Sequence, residues 1–138
     1  VLYDALVHPE LLTQTKKTVV KIFVGKRAGK ENMEQQEINQ LAVESAFGFG
    51  TVVRLKGGDP FIFGRGYEEI EYARKFGIEI EVIPGVSSST GLTALQQIPL
   101  TTRGINDGFW VIAGSTSEKE LSNDLKIAVK SNATVVIL

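Results

Sequence analysis

The chain has 138 residues, of which 43% are hydrophobic and 22% are charged, and its formal net charge is −1. These values indicate a soluble globular protein, exclude extensive disorder, and argue against a nucleic-acid or membrane protein held by bulk charge. The absence of cysteine excludes disulfides, thiolate nucleophiles and cysteine-ligated zinc. No window is apolar enough to span a bilayer, so we expect a cytoplasmic protein with no membrane or nucleic-acid partner.

Strand-like and helix-like patterns alternate along the chain, which is typical of an α/β fold with a mainly parallel sheet flanked by helices. The helix at 35–47 is the clearest, because apolar residues recur there at helical spacing before Gly48. The predicted strands of the first part are 1–3, 19–25, 51–55 and the strictly alternating 78–82. The predicted helices begin at Pro9, span 35–47 and 67–76, and run from the serines at 87–89 to about 97.

The order of these patterns predicts an α/β domain over 1–98, a linker over 99–108 and the start of a second α/β domain over 109–138. The second domain is predicted to hold two strands, "FWVIAG" and "TVVIL", around a polar helix near 118–130, with Phe109 and Trp110 in its core. The chain opens on a strand pattern already under way and stops inside another. We therefore expect a truncated fragment whose first strand is missing.

The segment "VVRLKGGDPFIFGRG" at 52–66 is the most unusual in the sequence. A parallel strand that ends in two glycines brings bare main chain to the edge of the sheet where α/β proteins bind ligands. Pro60 keeps Asp59 out of the helical region and directs its carboxylate. Good turn chemistry alone also explains these residues. The spacing matches neither a dinucleotide fingerprint nor a P-loop, so a phosphate ligand is not favoured.

Five motifs in this order resemble the uroporphyrinogen-III C-methyltransferases, which belong to the S-adenosylmethionine-dependent tetrapyrrole methylases. They are "VGKRAG" (24–29), "QQEIN" (35–39), "VVRLKGGDPFIFGRG" (52–66), "VIPGVSS" (82–88) and "IPLTTRG" (98–104). The resemblance extends from residue 1 to about 114. It implies a tetrapyrrole methylase-like fold of two α/β domains, usually a homodimer, with the methyl donor between the domains.

The resemblance also implies a reaction. Methyl groups would pass from S-adenosylmethionine to two ring carbons of uroporphyrinogen III, giving precorrin-2 for sirohaem and cobalamin and releasing S-adenosylhomocysteine. No metal is expected. Two alternatives stay open. One is a related methyltransferase acting on a later precorrin, and the other is a non-catalytic assembly module that keeps the fold but has lost the donor site.

The site residues are carried over from matching motif positions. Asp4 of "YDALV" matches the proton acceptor, and Lys26 matches the proposed proton donor. Positions expected to line the donor site are Gly57, Gly58, Asp59, Ile62, Ser87 and Ser88. Ser88 departs from the family, which commonly has alanine there.

The tetrapyrrole substrate carries many carboxylates, and basic side chains near the motif loops suit them. The candidates are Arg27, Lys56, Arg65 and Arg103.

Each candidate also has a plain structural explanation. Asp4 can cap the helix that opens at Pro9 or pair with a base, and Ser87 can serve as a helix cap alone. Lys26 and Arg27 can be a solvated loop, and Lys56 with Arg54 can be one polar edge of a strand. The "GxGPGD"-type turn of complete family members has no counterpart in this sequence, so we expect weak or absent methyl transfer if the polypeptide is only these residues.

Overall fold

The computed structural model describes residues 1–25, 33–114 and 121–138, and it confirms the mixed α/β class with parallel strand pairing. The strands are β1 (Leu2–Tyr3), β2 (Ile22–Phe23), β3 (Arg54–Leu55), β4 (Phe109–Ile112) and β5 (Thr134–Ile137). The helices are α1 (Pro9–Thr13), α2 (Gln35–Phe49), α3 (Gly66–Arg74), α4 (Ser88–Leu95) and α5 (Asn123–Ala128). Contacts divide the chain into two compact units, Val1–Gly85 and Val86–Leu138. In the described ranges, no helix has the length and apolarity needed to cross a membrane.

The sheet of the first unit has the order β2-β1-β3, and both pairs are parallel. Leu2 lies in register with Ile22 on one side and with Arg54 on the other. Leu2, Val24 and Ile38 are buried together and form the core against which α2 packs. The chain thus places β1 in the middle, and the direction of winding reverses between β1 and β3.

Helix α2 begins and ends where its local chemistry dictates. The Glu34 side chain accepts the N3 amide, and the Glu34 amide donates to Glu37 Oε2 at 2.6 Å, which satisfies two amides that the helix leaves free. The helix ends at Gly50, whose φ of +82° suits glycine alone among common residues. The predicted helix is confirmed, but the prediction that Gly48 ends it is wrong, because the helix runs through Gly48 to Phe49.

The predicted strand at 78–82 is wrong. These residues are extended in sequence pattern, with Ile78 and Ile80 half-buried and Glu79 exposed, but the structure assigns them to no strand. Alternation reports which face of a segment is covered, whereas a strand also needs a neighbour that accepts its amides and donates to its carbonyls. Among the described residues, 78–82 has no such ladder partner.

The second unit is built on the parallel pair β4-β5, in which Phe109 lies opposite Thr134 and Ile112 opposite Ile137. Ile112 and Ala128 are buried there. The expectation that Phe109 and Trp110 are core residues is wrong, because they are 42% and 37% exposed. Burial along β4 rises toward its carboxyl end, and the indole nitrogen of Trp110 donates to Ser131 Oγ at 3.2 Å at the surface.

The connection before β4 is held by the side chain of Asn106. The two N–H groups of its Nδ2 are shared among three acceptors, Leu100 O at 2.9 Å, Gly108 O at 3.1 Å and Thr134 Oγ1 at 3.1 Å. Its Oδ1 accepts from Thr102 N at 2.8 Å. The contact boundary falls at 85/86, whereas the sequence places a linker at 99–108. The domain assignment therefore stays a prediction. The described part of the predicted helix at 118–130 contains α5, and residues 115–120 lie outside the described ranges.

Candidate active site

The carboxyl ends of β1 and β3 mark the candidate site of the first unit. In open α/β sheets ligands bind outside the carboxyl ends of the strands, at the point where the strand order reverses, which for the order 2-1-3 lies between β1 and β3. The segment after β1 begins with Asp4, and the segment after β3 contains Gly57, Gly58 and Asp59. The fold thus brings the predicted proton acceptor and the predicted donor loop to the same edge.

Asp4 is hydrogen-bonded at one carboxylate oxygen and faces a cation with the other. Oδ1 accepts the Leu6 amide at 3.1 Å, and Oδ2 lies 3.7 Å from an Arg54 terminal nitrogen. The side chain is 22% exposed, which leaves it reachable from solvent. It does not cap α1, because His8 occupies the N-cap and its Nδ1 accepts the Glu10 amide at 3.4 Å. Asp4 is therefore an oriented carboxylate beside a cation.

Arg54 and Lys56 both bind Glu69 of α3. Arg54 Nε and Lys56 Nζ lie 3.2 and 2.9 Å from Glu69 Oε1, and the Lys56 side chain is only 11% exposed. Gln35 Nε2 donates to the same oxygen at 3.2 Å. The predicted substrate ligand Lys56 is thus already engaged in a half-buried ion pair, and its role toward substrate stays a prediction.

Sequence reasoning missed Glu69 and Gln35. A signal for the acid existed, since Arg54 and Lys56 are two residues apart and side chains at that spacing leave a strand on one face. Two cations on a covered face require an acid on the element that covers them. The two glutamates at 68 and 69, in the first turn of α3, were the available candidates.

The Gly57–Gly58 pair is fixed by close packing and by backbone conformation. A Cβ at Gly57 would lie within contact distance of Leu6 Cβ and 3.0 Å from the Leu6 carbonyl atoms. Gly58 has φ +121°, a region that side chains disfavour. A Cβ at Gly85 would lie 2.5 Å from Gly58 O, so residue 85 presses on the same loop.

Asp59 ties this loop together. Its Oδ1 accepts the Phe61 amide at 2.8 Å and its Oδ2 accepts the Gly85 amide at 3.2 Å. Each carboxylate oxygen can accept a further hydrogen bond, so a ligand donor can still be bound. Ile62 follows, 40% exposed.

The end of the loop turns tightly into α3. Gly66 N donates to Pro60 O at 2.8 Å, and Phe63 and Arg65 adopt positive φ values of 52° and 57°. Arg65 pairs with Glu68, with 2.6 Å between Nη2 and Oε2, and both side chains are about half exposed. This hydrogen bond raises the pKa of Arg65 and lowers that of Glu68. Of the two predicted substrate ligands that the structure describes in the first unit, Arg65 is the more accessible, since its side chain is 51% exposed and that of Lys56 is 11% exposed.

Three predicted residues belong to the second unit. Ser87 is the N-cap of α4, accepting the Ser89 amide at 3.3 Å, and its hydroxyl lies 2.8 Å from that of Ser89. Ser88 is exposed, as is Arg103. The capping role predicted for the serines is confirmed at Ser87.

Two further predicted site residues fall in the segment between β2 and α2. Lys26 and Arg27 lie outside the described residues. The described residues contain no group of three or more histidine, aspartate and glutamate side chains arranged to hold a metal.

The sequence profile of the tetrapyrrole (corrin/porphyrin) methylases matches residues 1–138, and the chain belongs to this family. The chain is 44% identical over 138 residues to the uroporphyrinogen-III C-methyltransferase of Methanocaldococcus jannaschii, covering all of this chain and 57% of that protein. It is 46% identical over 139 residues to the siroheme synthase of Baumannia cicadellinicola, covering 99% of this chain and 30% of the relative. The chain thus spans little more than half of the first relative and less than a third of the second.

Two solved structures extend these comparisons. The uroporphyrin-III C-methyl transferase of Thermus thermophilus complexed with S-adenyl homocysteine gives a TM-score of 0.76 at 36% identity, covering 99% of this chain and 56% of that one. A cobalt precorrin-4 methyltransferase gives 0.70 at 23% identity, covering 88% and 48%, and supports the fold alone. The family and fold named by the sequence motifs are therefore confirmed.

Proposed function

We propose that this chain is part of a methyltransferase that moves methyl groups from S-adenosylmethionine to ring carbons of uroporphyrinogen III, giving precorrin-2 and S-adenosylhomocysteine. The observation that carries the proposal is the position of Asp4 and the Gly57–Asp59 loop at the β1/β3 reversal point, in a chain 44% identical throughout to a methyltransferase of that name. The relative solved with S-adenyl homocysteine supports the identity of the donor.

The donor loop suits a zwitterionic sulfonium ligand in its chemistry. Main chain at Gly57 and Gly58 is free of side chains, and Ile62 offers an exposed apolar surface nearby in sequence. Asp59 has acceptor capacity left for the ligand's amino group. When bound, S-adenosylmethionine supplies an electrophilic methyl group. We propose, from their match to the family motif, that Ser87 and Ser88 also contact the donor.

Asp4 serves the acceptor side of the reaction. Carbon methylation leaves a ring that is cationic until it sheds a proton, and a fixed carboxylate can stabilise that charge and accept the proton. The hydrogen bond from the Leu6 amide and the nearby Arg54 hold the carboxylate in one orientation. Lys26 is proposed as the proton donor, and Arg27, Lys56, Arg65 and Arg103 as ligands of the substrate carboxylates.

Assembly, location and partners are part of the same proposal. We propose a homodimer that works in the cytoplasm, without a metal and without a nucleic-acid or membrane partner. Methylation of a later precorrin is the less favoured alternative, because the relative that is 44% identical over the whole chain is a uroporphyrinogen-III C-methyltransferase.

Calorimetric titration of the chain with S-adenosylhomocysteine tests the donor site directly. We expect saturable heat from the parent chain. Gly58→Val should weaken the affinity for S-adenosylhomocysteine at least about tenfold, since it places a branched side chain in a left-handed backbone position on the loop. Gly48→Ala, in open space on α2, is the matched control. No heat at millimolar ligand would favour a non-catalytic assembly module instead.

Methyl transfer to uroporphyrinogen III, compared with transfer to later precorrins, tests the acceptor. Asp4→Asn should retain S-adenosylhomocysteine binding while losing turnover. Equal turnover by Asp4→Asn and the parent chain would remove Asp4 from the mechanism.

A further inference from the structure

One carboxylate oxygen of Glu69 accepts hydrogen bonds from three side chains, one on α2 and two on β3 and the residue that follows it. Oε1 lies 3.2 Å from Gln35 Nε2 on α2, 3.2 Å from Arg54 Nε on β3 and 2.9 Å from Lys56 Nζ just beyond it. The Glu69 side chain is 13% exposed and those of Arg54 and Lys56 are 17% and 11% exposed. Mostly buried charges that share this many contacts hold one another in place. If one side chain moved away, the others would be left buried and without a partner.

Arg54 links this cluster to Asp4. Its Nε faces Glu69, one terminal nitrogen donates to Leu55 O at 2.9 Å, and the same nitrogen lies 3.7 Å from Asp4 Oδ2. A distance of 3.7 Å is close enough for Coulomb attraction but too long for a hydrogen bond. The guanidinium is therefore held near the carboxylate without closing on it.

The preferred geometry of an unrestrained arginine and a carboxylate is different. Such pairs close to about 2.7–2.9 Å and are commonly bidentate. An Arg54 that closed on Asp4 in this way would occupy Oδ2, the oxygen that is not bonded to the Leu6 amide. Two contacts hold the guanidinium back: the nitrogen nearest Asp4 donates to Leu55 O at 2.9 Å, and Nε on the other side is bound by Glu69.

We propose that Glu69 is a positioning residue for methyl transfer: it restrains Arg54 so that Asp4 keeps one carboxylate oxygen available to the substrate. The inference rests on the proposed role of Asp4 but concerns a residue that contacts neither Asp4 nor the donor loop. It gives Lys56 a share in the same restraint through Glu69.

The kinetic test compares Glu69→Gln with two controls. Glu69→Gln should lower kcat about tenfold or more while leaving KM for S-adenosylmethionine within about twofold, because only the reacting geometry changes. Glu71→Gln removes the same charge from an exposed position of α3, and Gln35→Met removes a neutral donor from the same oxygen while leaving Arg54 anchored. Both controls should stay within about twofold of the parent in kcat. An equal loss in Gln35→Met, or a matching rise in KM, would overturn the proposal.

A double-mutant cycle decides the question without any turnover. The unfolding equilibrium constants of the parent chain, Glu69→Gln, Asp4→Asn and the double variant should deviate from multiplicativity by about threefold or more, although the two carboxylates do not touch. In an Arg54→Met background the deviation should vanish. Additive behaviour with Arg54 present, or a deviation that persists without it, would refute the route through Arg54.

The cycle also separates the two proposals. A chain that gives no saturable heat with S-adenosylhomocysteine contradicts the proposed function, whereas the cycle reports on Glu69 whatever the outcome of that titration. If Glu69→Gln does not fold, the charge-balanced Glu69→Gln/Lys56→Met replaces it in the cycle, since that variant removes one acid and one base together and leaves Asp4 and Arg54 in place.

Discussion

Replacing Gly57 with alanine should destabilise the first unit through one identifiable collision. The new Cβ would overlap Leu6 Cβ and lie 3.0 Å from the carbonyl carbon and oxygen of Leu6, where carbon contacts are optimal only at about 3.5–4.0 Å. Neither obstacle is the end of a flexible side chain, so the segments after β1 and β3 must move apart. Overpacking of this kind costs about 1–3 kcal/mol.

The collision with Leu6 can be relieved separately. Leu6 is 80% exposed, so Leu6→Gly loses little apolar burial, yet it removes the Cβ that Gly57→Ala strikes. In the double variant only the 3.0 Å contacts with the Leu6 carbonyl remain, and about 1 kcal/mol of the cost should persist. Gly48→Ala is the control, because a Cβ there meets nothing within 4 Å and alanine in a helix is favoured by about 0.5–1 kcal/mol.

Urea unfolding followed by far-ultraviolet circular dichroism measures these differences. With a slope of about 2 kcal/mol per molar urea, a cost of about 2 kcal/mol lowers the midpoint by about 1 M. Relative to the parent, Gly57→Ala should show this downward shift of the midpoint. Relative to Leu6→Gly alone, Leu6→Gly/Gly57→Ala should show about half of it. Gly48→Ala should show a small upward shift relative to the parent. A Gly57→Ala midpoint equal to that of the parent, or no recovery in the double variant, would refute the assigned collision.

Three further predictions concern other parts of the chain. Asn106→Ala should lower the stability of the second unit by about 1–3 kcal/mol, because it leaves half-buried backbone groups unpaired. Trp110, the single tryptophan, reports the unfolding of this unit by fluorescence. An unchanged urea midpoint would contradict the role of Asn106. Ser87→Ala should cost about 0.5–2 kcal/mol as a lost helix cap. The exposed Ser88→Ala should leave both the stability and the affinity for S-adenosylhomocysteine close to those of the parent, because alanine is the residue that the family commonly has there. A loss of stability in Ser88→Ala but not in Ser87→Ala would contradict the assigned cap. Pairing with Arg65 lowers the pKa of Glu68 in the folded chain, so the pair stabilises the fold at pH values above the unfolded pKa of 4.5 and loses its effect as pH falls through the folded pKa. At pH 7 the free energy of unfolding of the parent should exceed that of Glu68→Gln by no more than about 0.5 kcal/mol, since both side chains are half exposed. A stability difference that grew as pH fell would contradict this assignment.

The sequence predicted best where local chemistry and packing agree. The helix at 35–49 has apolar spacing, a capping box and a terminal glycine that all favour the same structure. The strand prediction at 78–82 failed because alternation can be read from one segment, whereas a hydrogen-bonding neighbour must come from another. The prediction that Phe109 and Trp110 are buried failed for a related reason. Apolar character predicts a tendency to be buried, but it does not predict which face of β4 is covered.

The candidate site was predictable only in part. The glycines and Asp59 could be identified from their motif, but not their contacts, since Leu6 and Gly85 approach Gly57 and Gly58 from distant points of the chain. Glu69 was missed because an acid in the first turn of a helix has an ordinary explanation in the helix dipole. The cluster around it becomes visible only when β3 and α2 place three hydrogen-bond donors around one oxygen.

The segment after β1 is crowded from two directions. A Cβ at Gly25 would lie 2.5 Å from the Ala5 amide nitrogen, as a Cβ at Gly57 would collide with Leu6. The endings of three neighbouring strands therefore form an interlocked set, in which no member can gain bulk alone. Among descendants of this sequence, a larger residue at 25 or 57 should appear only together with a rebuilt turn at 4–6, so these positions should change in concert or not at all.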